Sequence, residues 1–111
     1  YDGARPVEGY GPGFFRISGE VLRGNILVWS EAAQIWGGPD DLGPLLALAG
    51  KTDLLLYGTG PTMGRAPAAL TTALDAVGIG VEAMDSAAAA RTYNVLVAEG
   101  RRVAAALLMI G

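Results

Sequence analysis

Asp53-Leu54-Leu55-Leu56-Tyr57-Gly58-Thr59-Gly60-Pro61-Thr62-Met63-Gly64 is the stretch on which the fold turns. Its first five residues form a short apolar run of the kind a strand buried on both faces requires. A glycine-rich loop follows at once. Beyond it, residues 66–77 carry Leu70, Ala73, Leu74 and Val77 at helical spacing, with Pro67 in the first turn and Gly78 after the end. Strand, glycine loop and helix in that order define an α/β unit. The loop is where such units expose backbone N–H groups to an anion or a partner.

Reading outward on the C-terminal side, 79–84 is a second apolar strand. Asp85-Ser86 supplies a cap for a helix over 86–98 that stops at Gly100, and 102–109 is a last strand. On the N-terminal side, 42–49 reads as a short helix. Asp40 or Asp41 is placed to cap it, Pro44 falls in its first turn, and Gly50 is placed to end it. Before it the rhythm is that of strands. Residues 14–18 and 26–29 alternate or run apolar, Gly19-Glu20 suits a tight hairpin, and 33–36 suits one more extended piece. Residues 1–13, with Gly3, Gly9, Gly11, Pro12 and Gly13, read as an irregular lead-in with room for a short edge strand near Val7. The expected fold is a three-layer α/β domain. A mixed central sheet carries helices packed on it, preceded by an N-terminal β-meander. Residues 1–111 form a single domain, and Trp29 and Trp36 belong to the core of the meander.

Composition narrows the function. The chain has 111 residues, a net charge of −3, 51% hydrophobic and 17% charged residues. It is too apolar for disorder and long enough to bury roughly two-thirds of its unfolded surface. Eight basic residues are scattered along it. No row of them matches successive phosphates, so a nucleic acid partner is not expected. There is no Cys and no His. That removes the thiol nucleophile, the usual general base and the usual transition-metal ligands. The acidic residues form no calcium loop, so no metal or other cofactor is expected. The longest purely apolar run, 103–110, falls far short of the ~20 residues of a membrane span. The expected location is cytoplasmic, or mitochondrial if the source is eukaryotic and a targeting segment precedes Tyr1.

A second block joins the first. The run 54–60, the strand Gly80-Val81-Glu82-Ala83-Met84-Asp85, and Thr92-Tyr93-Asn94-Val95-Leu96-Val97-Ala98-Glu99-Gly100-Arg101 occur in order. The pattern resembles a family of small α/β domains of unknown function. That family includes mitochondrial respiratory complex I assembly factor 3 and an adipogenesis-associated cytosolic protein. The resemblance covers about residues 5–111. It implies a three-layer fold with a meander against a mixed sheet, and an assembly or protein-interaction role without known catalysis.

The candidate site is a crevice lined by Gly58, Thr59, Gly60, Thr62, Asp85, Thr92 and Asn94. If 53–57 and 79–84 run parallel, their ends meet at one sheet edge, where α/β domains bind ligands. The glycine spacing G-x-G-x-x-x-G is one residue too long for a dinucleotide fingerprint, and Pro61 removes a backbone donor. Asp85 reads either as a helix cap or as a crevice wall. Asn94 shares a stripe with Ala87, Ala90 and Val97. A buried amide there needs partners, and the glycine loop or the Asp85 turn is the expected one. Arg101 is placed with Arg102 to complement the helix end or, as the resemblance implies, to pin Glu99 or a partner carboxylate, and Asp40-Asp41 is a cap and not an acid–base pair. Two functions follow. The first is a non-catalytic interaction or assembly domain, monomeric or weakly self-associating. It presents the crevice to a larger protein, with Met63 or Trp36 as an apolar anchor. The second is a small-ligand or anion-binding enzyme using the 58–60 loop with Asp85 and Asn94, Asp85 serving as general base and Thr59 or Thr62 orienting a substrate.

Overall fold

The computed structural model describes residues 5–111. The chain begins with three strands, β1 (Val7–Gly11), β2 (Phe14–Ile17) and β3 (Glu20–Arg23), which form a separate antiparallel sheet in the order β1-β2-β3. The β2–β3 turn has Ile17 opposite Glu20 and positive φ at both Ser18 (52°) and Gly19 (77°). Two left-handed residues let a two-residue loop follow the twist of its strands. β4 (Ile26–Trp29) and β5 (Ala32–Ile35) come next, then α1 (Gly43–Leu46), β6 (Leu54–Gly58), α2 (Ala68–Asp75), β7 (Gly80–Met84), α3 (Ser86–Ala98) and β8 (Val103–Leu107).

The main sheet has five strands in the order β5-β4-β8-β6-β7. β6 lies parallel to both β7 and β8, whereas β4 is antiparallel to β8 and β5. The sheet is therefore mixed. Successive side chains on β6 and β8 point to opposite faces, so each strand feeds two cores. Leu56, Ala105 and Leu107 face α3 and the three-stranded sheet, packing with Phe15, Ile17 and Tyr93. Leu55, Tyr57, Ala104 and Ala106 face α1 and α2, packing with Trp36, Leu45, Leu70 and Leu74. The layers are thus α1 and α2, then the main sheet, then α3 with the smaller sheet. The run Ala104-Ala105-Ala106 is fully buried in the middle strand. Its small side chains leave room on both faces for the larger groups, Trp36 on one and Tyr93 on the other.

Four expectations need correction. The edge strand expected near Val7 is present as Val7–Gly11, paired in the meander, so the irregular lead-in does not extend over 7–11; residues 1–4 lie outside the described residues. β4 and β5 leave the meander and join the main sheet through β8, because the buried run Ile26-Leu27-Val28 has apolar partners on both faces. Trp36 is buried beside α1, its ring edge-on to Tyr57 at 6.2 Å and 89°, so it cannot serve as an exposed anchor. α1 is a single turn with no side-chain cap. Asp41 instead accepts from the Gly37 N–H through Oδ2 (3.1 Å) and from Trp36 Nε1 through its backbone oxygen (2.9 Å). The aspartate thereby braces the loop before the helix.

Candidate functional site

Parallel pairing aligns Gly58, the last residue of β6, with Met84 of β7 on one side and Leu107 of β8 on the other. Three strands therefore end together at one edge of the sheet. The loop leaving β6 turns there under a dense set of bonds. The Thr59 N–H donates to Met84 O (2.8 Å), the Leu108 N–H donates to Gly58 O (3.0 Å), and the Ser86 N–H donates to Gly60 O (2.9 Å). The Thr59 hydroxyl reaches Thr62 O at 2.6 Å and Met84 O at 3.2 Å.

Ser86 fills the centre of this arrangement. It is fully buried at the first turn of α3. Its Oγ accepts from the Gly60 N–H (2.8 Å) and donates to Leu108 O (2.7 Å). One hydroxyl thus satisfies a donor after β6 and an acceptor after β8, as buried backbone groups require. Gly58 has to be glycine for the same reason. A Cβ there would lie 2.7 Å from Ser86 Oγ, 2.8 Å from Leu107 Cδ2 and 2.9 Å from Ser86 Cα. Gly60, at φ 94°, would place its Cβ 3.4 Å from Met109 O. The glycines allow the chain to close on itself. Sequence reading missed Ser86 because a serine beside Asp85 reads as a second cap. The signal that would have found it is the coincidence of Gly58, Gly60 and a small hydroxyl at the first position of the following helix.

The remaining candidates divide. Gly58, Thr59, Gly60 and Thr62 share the loop, and Asp85 follows Met84 at the same sheet edge. Asp85 acts as the cap of α3: its Oδ1 accepts from the Ala88 N–H at 2.9 Å. Thr92 and Asn94 sit six and eight residues beyond Ser86, about 9 and 12 Å along a helix. Asn94 does not meet the glycine loop. Its Oδ1 accepts from the Val7 N–H and its Nδ2 donates to Val7 O, both at 2.8 Å. The clamp exists, but it holds β1 of the smaller sheet to α3. The neighbouring Tyr93 hydroxyl donates to Arg5 O (2.9 Å), extending the same seam. Burial raises the Tyr93 phenol pKa well above its ordinary value, with a small opposing pull from the Arg5 guanidinium, and burial raises that of Tyr57 too.

Beyond the other end of α3, Arg102 is the arginine whose side chain is anchored among the described residues, and no such bond of Arg101 is seen among them. Arg102 donates to Gly50 O (2.6 Å) and forms an exposed pair with Asp53 at 3.5 Å, an arrangement worth little to stability in water. Trp29 Nε1 is buried without a hydrogen-bond partner among the described residues. Among those residues, too, no three His, Cys, Asp or Glu side chains gather as metal ligands.

The fold and its self-closed sheet edge define a small mixed α/β domain in which backbone, and not an array of charged side chains, dominates the candidate site. The chain belongs to the family described as a protein of unknown function (DUF498/DUF598), whose model matches residues 7–108. An uncharacterized protein of Rhodobacter capsulatus is 56% identical over 108 residues, covering 97% of this chain and 87% of its own length. A crystal structure described as an outer membrane protein from Bartonella henselae is 33% identical, with a TM-score of 0.88 and 97% of each chain covered. A solution structure from Bordetella pertussis, described as a Mth938-like domain, is 31% identical with a TM-score of 0.79, covering 97% of this chain and 87% of that one. The expected membership of a family of small α/β domains of unknown function thus holds at the level of the family.

Proposed function

We propose that this domain is a non-catalytic interaction module that presents the sheet edge around Gly58, Thr59, Gly60, Thr62 and Asp85 to a larger protein. The observation that carries this reading is the bonding of Ser86. Its hydroxyl, with Gly58 and Gly60, fills the space between the strand ends where α/β enzymes usually seat a small substrate. What faces outward is a shaped backbone surface with Met63, 71% exposed, on the following loop. An exposed methionine is an adaptable apolar anchor for a partner. Thr92 and Asn94, farther along α3, stand outside this edge, Asn94 being engaged with Val7 of β1. The family resemblance extends the role to assembly, with respiratory complex I as the specific setting. We place the domain in the cytoplasm, or in mitochondria for a eukaryotic source. No helix among the described residues is long and apolar enough to cross a membrane. The Bartonella relative's description points to the cell envelope as the competing location, and cell fractionation separates the two.

The test uses Thr59→Arg and Asp85→Arg, each of which adds bulk and positive charge at this edge. Both are expected to keep a cooperative melt and to lose capture of the partner that the unaltered chain retains from its native cell. Full capture by both folded variants would move the interaction to another face. Turnover of a metabolite that Asp85→Asn abolishes would make the domain an enzyme.

A further inference from the structure

Among the described residues the two sheets end in four edge strands, β1 and β3 in the smaller sheet and β5 and β7 in the main one. Asn94 occupies the outer backbone groups of β1 at Val7. The other three edges carry outward N–H and C=O groups, at positions that follow from the pairing, because bonded residues alternate along a strand. In β5, Ala32 and Gln34 stand opposite Trp29 and Leu27, and the Trp36 N–H donates to Asn25 O at 2.8 Å. Ala32, Gln34 and Trp36 therefore bond β4, and the backbone groups of Ala33 and Ile35 point away from it. No turn or loop backbone among the described residues bonds them. In β7, the Gly80 N–H donates to Asp53 O and Met84 O accepts from the Thr59 N–H, so Val81 and Ala83 face outward. In β3, the Gly24 N–H donates to Gly13 O next to the Phe14–Arg23 pair, so Val21 and Arg23 face outward.

A free edge is a template for another strand, and charged side chains are a usual means of blocking it. When a strand pairs antiparallel with its own copy across a two-fold axis, the residue between two outward ones meets itself and the outward ones meet each other. In β7 the central residue is Glu82, and two carboxylates would stand opposite each other, a destabilising pair. In β3 the two Arg23 side chains would become diagonal neighbours on one face. β5 differs. Its sequence, Ala32-Ala33-Gln34-Ile35, has no charge and no proline, and its register with β4 has no bulge. The central residue is Gln34, exposed, whose amide both donates and accepts and so complements its own copy. On the other face the small Ala33 would meet the large Ile35 of the copy. Ile35 is 52% exposed although its cross-strand neighbour Ile26 is fully buried.

We propose that β5 is a self-association strand and that its occupant is β5 of a second copy of this chain. The two main sheets join antiparallel about a two-fold axis at Gln34. Ala33 of each copy exchanges main-chain bonds with Ile35 of the other, and the two Gln34 amides bond across the axis. This goes beyond the interaction reading at the Gly58 loop and does not depend on it, since β5 lies at the opposite edge of the sheet from β7.

The test is sedimentation velocity on the full chain. A four-residue strand is a small interface, toward the weak end of specific association, so the concentration series runs to about 1 mM. The unaltered chain is expected to pass reversibly from monomer to dimer over that series. Gln34→Glu and Gln34→Lys each place like charges opposite one another in the dimer, while the exposed side chain leaves the monomer folded. Each variant alone is expected to associate about 5-fold more weakly. An equimolar mixture of the two is expected to recover the association of the unaltered chain, because opposite charges then meet at the axis. Ala33→Pro removes an outward N–H that β4 does not use, as edge strands tolerate, and is also expected to weaken the dimer. An unaltered chain that stays monomeric throughout overturns the proposal. So does a dimer that the single charge variants leave intact, or a mixture no better than either variant alone. Undiminished association of Ala33→Pro would mean that the copies meet without strand pairing, which overturns it as well.

Discussion

Two polar side chains on α3 hold the molecule together at opposite ends of its logic. Ser86, at the first turn, is fully buried and joins the ends of β6 and β8. Asn94, two turns later, is half-buried and grips both backbone groups of Val7. Ser86 works in a space so tight that its neighbour must be glycine. Asn94 works in a half-buried seam, standing in for a strand neighbour to β1. The first junction makes the main sheet close at one edge; the second attaches a small sheet that has its own antiparallel bonding. Closure should therefore be brittle and attachment forgiving.

The sharpest way to break that contrast is at Gly58. Gly58→Ala forces a Cβ to within 3 Å of Ser86 Oγ, Leu107 Cδ2 and Ser86 Cα. Because one of these is backbone, overpacking is expected to destabilise the domain by about 3 kcal/mol, read by urea denaturation. A loss under 1 kcal/mol would show that the junction yields. Next comes Ser86→Ala, which strands the Gly60 N–H and Leu108 O. The expected cost is about 2–3 kcal/mol, with faster hydrogen exchange at Gly60. Retained protection there would mean that water replaces the hydroxyl.

Asn94→Leu leaves the Val7 N–H and C=O unpaired beneath a half-buried side chain and makes no new clash, so a smaller loss of about 1–2 kcal/mol is expected. Exchange should rise in β1 and not in β6. If the two junctions lose stability equally, the distinction between closure and attachment fails. The smallest expected effect is at Tyr93. Tyr93→Phe removes the bond to Arg5 O, at about 1 kcal/mol near neutral pH. It also changes the alkaline limb. Burial raises the folded pKa of Tyr93 above its ordinary value of 10.0, so the unfolded chain releases that proton first. Stability from this group is complete below pH 10 and is lost as the pH rises beyond it. Tyr93→Phe is expected to lose stability less steeply above that pH, leaving the same-direction contribution of Tyr57. An unchanged alkaline slope would assign the loss to other groups.

Much of the fold was legible because local patterns and tertiary demands agree. The helix read at 86–98 is Ser86–Ala98, and the strand read at 26–29 is Ile26–Trp29. The apolar run through Leu54, Leu55 and Leu56 marked a strand buried on both faces, and Asp85 caps α3 as one of its two readings had it. Helix ends were less legible: the helix read over 66–77 is Ala68–Asp75, because the residues before it continue the glycine loop. In the candidate site, the loop residues and Asp85 could be grouped from the order of elements alone. Asn94's partner could not, because Val7 is 87 positions away in sequence. Nothing local to either residue encodes that pairing.

The amino-acid sequence by itself determined the element types of the second half, their order, and the excluded chemistry. Those properties follow from period, turn residues and the absence of His and Cys, all of which are local or compositional. Only the tertiary structure decided that β4 and β5 join the main sheet, that Asn94 serves β1, and that Ser86 closes the edge beside Gly58. Each of these depends on which backbone donors and acceptors remain unpaired once the strands have docked. Such leftover groups exist only in the assembled fold, and they select their partners by proximity in space and not along the chain.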